Sequence, residues 1–234
     1  MHLQVVKMEQ DLSKWLKEGE QTKITDVVKK HANLIQIMGS LDSYEFYEWG
    51  KSDLMVAANK TAKYISRSLR IHKGSNYHDY WLLRRDITQI LTDGGTNSCN
   101  EYAHVFRGLM IAQGYPASYI EAVHAHSLFN SEPPFKGHAF CRIFSETNNV
   151  IIDPTTIKME DNLSIYPYFI VGEGLDSWDL GFKKLSDFPR IREERLLDWA
   201  ALWERQLDNK YKAEKKKSLI WSTKNRNNFC LKIF

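Results

Sequence analysis

Cysteine is scarce in this sequence: Cys99, Cys141 and Cys230 are the three among 234 residues. They are too few and too scattered for a disulfide framework or a zinc ribbon. Reduced thiols and a cytosolic compartment are therefore expected. Glycine (12) and proline (6) are too sparse for a collagen-like or low-complexity chain. No apolar run approaches the ~18 residues that a membrane helix needs. Residues Met1 to Asp11 contain no apolar h-region, so no signal peptide is expected. What remains is an ordinary globular composition, 43% hydrophobic and 26% charged. The length suffices to bury a core without covalent staples.

A charge imbalance is also nearly absent, with 32 basic against 29 acidic residues. The small excess is localised. Residues 210–234 hold eight basic residues and one acid, so this tail is +7 and the preceding 209 residues are −4. A basic tail that includes Lys215, Lys216 and Lys217, with Tyr211, Trp221 and Phe229 nearby, could contact phosphates. A solvated terminus is the simpler expectation, and nucleic acid is not an expected partner of the body.

Hydrophobic periodicity predicts an α+β protein. Residues 1–93 read as helical, with Leu12, Trp15 and Leu16 on one face and further helices over Thr25–Met38, Ser52–Leu69 and His78–Thr92. Cys99 to Gln113 reads as a helix capped by Gly114. Strands are predicted over Pro116–Phe129, Gly137–Phe144 and Asn149–Asp153, with Asn148-Asn149 as a hairpin turn, and another over Ser164–Val171. Helical spacing returns from Pro189. We therefore expect one domain over 1–209: a helical N-terminal region over 1–93, a core over 94–156 and a C-terminal extension over 157–209. The tail 210–234 follows. No role suggests itself for the segment 171–179.

Chemistry points to Cys99. It follows Gly94-Gly95-Thr96-Asn97-Ser98 and opens a predicted helix. The helix dipole and unpaired N–H groups favour thiolate there, and the glycines leave the sulfur accessible. A lone cysteine in such a place is nonetheless more often a small buried hydrophobe. Two further residues change the weighing. His138 starts a strand, and Asp153 ends the next one. A hairpin at Asn148-Asn149 would make them cross-strand neighbours. An Asp that orients a His, whose other nitrogen takes a thiol proton, is the arrangement of nucleophilic catalysis.

The surrounding residues carry a resemblance. Gly95 to Ile120 includes Cys99, Tyr102-Ala103, an apolar helix, then Gly114-Tyr115-Pro116-Ala117. Gly137-His138-Ala139-Phe140 and Val150 to Thr155 follow in order. Over residues 93–156 this resembles the core of the transglutaminase-like superfamily. The resemblance implies a papain-like core, in which a nucleophile helix packs on an antiparallel sheet. It implies Cys99 as nucleophile, His138 as general base and acid, and Asp153 as orienting acid. It also implies an acyl-enzyme that water resolves, as in a peptidase or amidase, or that an amine resolves, as in a transamidase. Deamidation of protein glutamine is a related alternative. A peptide or protein is the implied substrate, and hydrolysis is the reading we favour. That chemistry needs no cofactor and no metal.

An oxyanion hole needs donors near the sulfur. The Cys99 N–H is one, and Gln89 and Trp81 are upstream side-chain candidates, although helix packing explains Trp81 and a solvated helix face explains Gln89. His124 and His126 share a strand face and could pair at a metal, but lining a cleft is the simpler role. Cys141 falls on the strand face opposite His138 and is expected in the core. His104 is read as structural. A catalytically inactive scaffold is the remaining alternative, against which the intact Cys99, His138 and Asp153 weigh.

Overall fold

A computed structural model describes residues 11–38, 53–71, 83–96, 98–124, 137–144, 149–160 and 168–198. Trp81, Asn97, His126, the turn residue Asn148 and the basic tail lie outside the described residues. The chain divides into two units, 1–192 and 193–234. In the second, residues 193–198 are helical.

In the first unit a 3-10 turn at Leu12–Leu16 leads to helices α1 (Asp26–Met38), α2 (Asp53–Ser68), α3 (Ile87–Asp93) and α4 (Cys99–Ala112). A short parallel pair joins β1 (Arg70–Ile71) to β2 (Gly95–Thr96). The main sheet follows: β3 (Ala117–His124), β4 (Gly137–Phe144), β5 (Asn149–Asp153), β6 (Lys158–Glu160) and β7 (Tyr168–Gly174). Its spatial order is β6-β5-β4-β3-β7, with every neighbouring pair antiparallel. Helical backbone over 187–192, here α5, ends the unit. The α+β class expected from periodicity is the class observed.

Alternation along the strands sorts the sheet into two faces. Ala117 and Tyr119 on β3, Ala139, Cys141 and Ile143 on β4, and Val150 and Ile152 on β5 join the main core against α4. Ile120, Ala122, Phe140 and Ile151 form a smaller cluster on the other face, with Tyr168 and Ile170. Helix α4 is buried nearly all round, not along one stripe: twelve of its residues are buried, including Asn100, Glu101, His104 and Arg107. A helix buried on all sides lies inside the core of its unit.

Several boundaries differ from the periodicity. The helix expected over 78–92 starts only at Ile87 among the described residues, because Asp86 caps it and Leu83 sits at φ 67. That left-handed turn cannot continue a helix. Of the expected strand 164–171, residues 164–167 lie outside the described residues, and the strand observed from Tyr168 runs on to Gly174. The apolar residues of the segment pair with β3, with a bulge opposite Glu121 and Ala122. The face Leu12, Trp15, Leu16 makes only a 3-10 turn, and the Trp15 ring stacks on Phe144 at 5.1 Å.

The segment 171–179, to which the sequence assigned no role, is a buried clamp. Asp176 Oδ2 accepts from the Gln21 N–H at 2.8 Å, the Ser177 hydroxyl bonds the Gln21 amide oxygen at 2.5 Å, and Trp178 Nε1 donates to the Leu83 carbonyl at 2.8 Å. The Ser177 N–H donates to His104 Nε2 at 3.2 Å. Gly19 lies so close to the Asp176 carboxylate that a Cβ there would collide with it. Burial holds His104 down to about 4, opposed by Asp176 and helped by Arg107, so its ring is a neutral acceptor inside the clamp.

Candidate active site

The nucleophile loop is built by a buried ion pair. Arg85 and Glu101 are 3% and 2% exposed. Arg85 Nη2 reaches both Glu101 oxygens, at 2.7 and 2.8 Å, and Nε reaches Oε1 at 3.0 Å. The same guanidinium donates to the Gly95 carbonyl at 3.1 Å and to Asp93 at 3.0 Å. Thr96 Oγ1 donates to Glu101 Oε2 at 2.9 Å. Residues 93–96 are thus tied to the first turn of α4. Ser98 caps that helix, its hydroxyl accepting from the Glu101 N–H at 3.2 Å. Gly94 ends α3 at φ 65, a conformation that glycine adopts without strain. Cys99 is therefore the first residue of a capped helix, half-buried, with a backbone N–H that has no acceptor within the helix.

Sheet register brings the histidine and its carboxylate together. Cys141 Sγ donates to the Ala103 carbonyl at 3.2 Å, which fixes α4 against β4. His138 lies three residues before Cys141, on the opposite face of β4, and meets the Cys99 sulfur at the start of the strand. On the neighbouring strand the pairing Cys141↔Ile152 puts Asp153 one step further on, as the diagonal neighbour of His138 on the same face. His138 Nε2 and Asp153 Oδ2 are 2.9 Å apart. The other ring nitrogen is left for Cys99, whose sulfur lies close enough to raise the pKa of the ring. Asp153 Oδ1 accepts from the Thr155 N–H at 2.9 Å, which fixes the carboxylate.

The electrostatics follow from these contacts. Burial, the largest single influence, disfavours charge on His138. The hydrogen bonds and negative charges of Asp153 and Cys99 outweigh it and push the imidazolium up to about 10. Burial likewise opposes charge on Asp153, but His138 and the Thr155 and Thr156 donors hold its carboxyl below the usual range. His138 sits between two aromatic rings. Phe140 meets it edge-on at 4.7 Å and Tyr168 lies tilted at 5.6 Å. Burial, then the charges of Asp153 and Cys99, raises the Tyr168 phenol.

The chain resembles a solved structure. It superposes on a candidate cysteine protease from Cytophaga hutchinsonii with a TM-score of 0.49 and 18% identity, over 76% of this chain and 51% of that one. The chain thus spans about half the length of that protein. No family model and no curated protein matches it.

The remaining expected residues fall as follows. Cys141 is fully buried on the face opposite His138, where burial pushes its thiol far up. His124 meets Tyr168 edge-on at 5.0 Å. Trp81 lies outside the described residues. Gln89 stands at the third position of α3, where its side-chain oxygen accepts from the Asp86 N–H at 3.0 Å while Asp86 caps the Gln89 N–H at 2.9 Å. That reciprocal box accounts for Gln89 without any part in an oxyanion hole. Gln89→Ala should cost about 1 kcal/mol or less of stability and leave the rate of Cys99 alkylation unchanged. A large drop in that rate would return Gln89 to the site.

Periodicity gave no sign of a third group of residues. Glu121, fully buried on β3, accepts from Tyr119 Oη at 2.6 Å, from Asn100 Nδ2 at 3.2 Å and from Arg192 at 2.5 and 3.1 Å. Asn100 Nδ2 also donates to Tyr119 Oη. The available signal was a lone acid in a run of β-formers, which is costly unless it is paired.

Proposed function

We propose that the protein is a thiol enzyme that cleaves a peptide or protein amide through an acyl-enzyme on Cys99. The observation that carries this reading is the His138 Nε2–Asp153 Oδ2 pair at 2.9 Å beside a cysteine, Cys99, that opens a capped helix and whose sulfur raises the pKa of the ring. The resemblance of residues 93–156 to the transglutaminase-like core supports the same roles.

In this reading an imidazolium beside the sulfur holds it as thiolate. The sulfur attacks the amide carbonyl, and the Cys99 N–H faces the oxyanion that forms. His138 then gives its proton to the leaving nitrogen, the C–N bond breaks, and a thioester remains. His138 next takes a proton from water, and the resulting hydroxide attacks the thioester to release the acid and regenerate the thiol. Asp153 holds the ring through Nε2 so that the other nitrogen faces sulfur throughout. No step calls for a cofactor.

Iodoacetamide labelling across pH 5–9 tests the proposal, with the labelled residue located by peptide mapping. Cys99 should react well below pH 8.5, where a free thiol titrates. In His138→Ala the rate at pH 6 should fall about tenfold or more, the loss of thiolate being partly offset by its higher intrinsic nucleophilicity. Equal, slow labelling in both proteins overturns the reading. With casein as test substrate, new α-amines mark peptide hydrolysis, and ammonia marks attack on glutamine.

A further inference from the structure

We propose that Arg192 is a positioning residue for the reacting pair, holding Cys99 against His138 from both sides; this rests on the thiol-enzyme reading above. Two contacts of one guanidinium carry it. Towards His138, Arg192 lies against the backbone of Gly137, the preceding residue, so closely that a Cβ on Gly137 would occupy the guanidinium's place. Towards Cys99, Arg192 Nε and Nη2 donate to Glu121 Oε1 at 3.1 and 2.5 Å. The other carboxylate oxygen takes Tyr119 Oη at 2.6 Å and Asn100 Nδ2 at 3.2 Å. Asn100 is the residue after the nucleophile, and its side-chain oxygen faces Cys99 Sγ at 3.8 Å. One cation thus abuts the chain at His138 directly and the chain at Cys99 through a carboxylate and an amide.

The chemistry of the link is demanding. Glu121 and Tyr119 are 0% exposed, Asn100 6% and Arg192 9%. Burial raises the Glu121 carboxyl, and Arg192 is the charge that chiefly opposes it. Removing Arg192 leaves a buried acid without its cation, and such a site relaxes by protonation, water entry or displacement. Each of these moves the Asn100 end of α4 or the Gly137 end of β4. Phe188 fixes the donor itself, with its ring 4.4 Å from the guanidinium carbon and stacked on Phe182 at 4.9 Å. Seating of α5 and alignment of the thiol with the imidazole are therefore one event. The titratable groups that feel the sulfur are His138 on β4, Tyr168 on β7 and Tyr119 on β3; behind them stand Asp153 on β5 against His138, and Glu121 on β3 with Arg192 on α5 against Tyr119 and Asn100.

The pH profile of iodoacetamide labelling at Cys99 separates positioning from bulk stability, which thermal unfolding reports in parallel. Arg192→Met should slow labelling at pH 6 by about threefold or more, the size of coupling seen within one network, with the profile displaced towards that of a free thiol. Arg192→Lys should recover some of the loss. In a His138→Ala background Arg192→Met should change nothing further, because the misalignment acts through that ring. Tyr119→Phe, which removes one hydroxyl and keeps the packing, should give a smaller displacement in the same direction, and it carries the test if Arg192→Met does not fold. A lowered unfolding temperature with a superimposable profile overturns the proposal, as does an Arg192→Met effect that persists without His138. If wild type and His138→Ala already label alike, it is the thiol-enzyme reading that fails.

Discussion

Arg85→Met should cost about 3–5 kcal/mol of stability, the usual result of leaving one member of a buried ion pair without its partner. For a chain of this size that is a fall of about 10 °C or more in the unfolding temperature. The reason lies in geometry, not charge alone. Arg85 donates to Glu101, Gly95 and Asp93 at once, and Glu101 is 2% exposed. Deleting the cation leaves a buried carboxylate at the first turn of α4, where Thr96 and the helix end are too weak to replace it. Replacing both partners, Arg85→Met with Glu101→Leu, should restore much of the loss, because no buried charge is then left alone. Asp93→Ala, which removes a half-exposed partner of the same arginine, should cost under about 1 kcal/mol. Calorimetry on the wild type and these three variants checks the set. A loss below about 1 kcal/mol in Arg85→Met would mean that the pair does not carry the loop, since such pairs ordinarily cost more to break.

How much of this was legible in the sequence depends on where each residue finds its partner. The strands β4 and β5 were legible because they are rich in β-formers and their pairing is local. His138 and Asp153 could be read as neighbours for the same reason: the hairpin that joins them is short. Cys99 at a helix start was legible from Ser98 and the glycines before it. The supports of the site were not. Asn100, Glu101 and Arg107 look like the solvated face of an amphipathic helix, yet all three are buried, as is His104. Their partners come from far along the chain: Arg85 for Glu101, Glu121 for Asn100, Ser177 for His104, Thr22 and Lys17 for Arg107. Periodicity registers the polar residue and cannot register a distant partner. The same cause explains the segment 171–179. Asp176 and Ser177 are turn-formers by type, and nothing nearby in sequence shows that the loop containing Gln21 closes over them. The bulge opposite Glu121 is equally invisible, because it arises from pairing between β3 and β7.

Asp153→Asn should reduce Cys99 labelling at pH 7 by about tenfold or more, comparable to the contribution of a positioned acid–base group. The sign follows from the contacts of His138. Burial alone would lower its pKa, and the Asp153 hydrogen bond heads the influences that raise it to about 10. Without the carboxylate, burial acts against fewer opponents, the imidazolium is lost at a lower pH, and less thiolate survives near neutrality. The amide also presents a donor or a weaker acceptor to Nε2, so the ring is free to turn its wrong nitrogen to sulfur. Stability should move in a matching window. The raised His138 contributes stability fully below about pH 6.5, and that contribution is lost as pH rises through about 10. The lowered Asp153 contributes above its ordinary value near 3.8 and loses that contribution as pH falls through its depressed value. The gap in stability between wild type and Asp153→Asn should therefore be widest between about pH 4 and 6.5. It should narrow in stronger acid and again towards pH 10. Chemical denaturation of both proteins at pH 3, 5.5, 8 and 10 measures it. A gap that stays constant across that range would mean that Asp153 acts on His138 through packing alone, and the ion pair would have to be abandoned as the source of Cys99 reactivity.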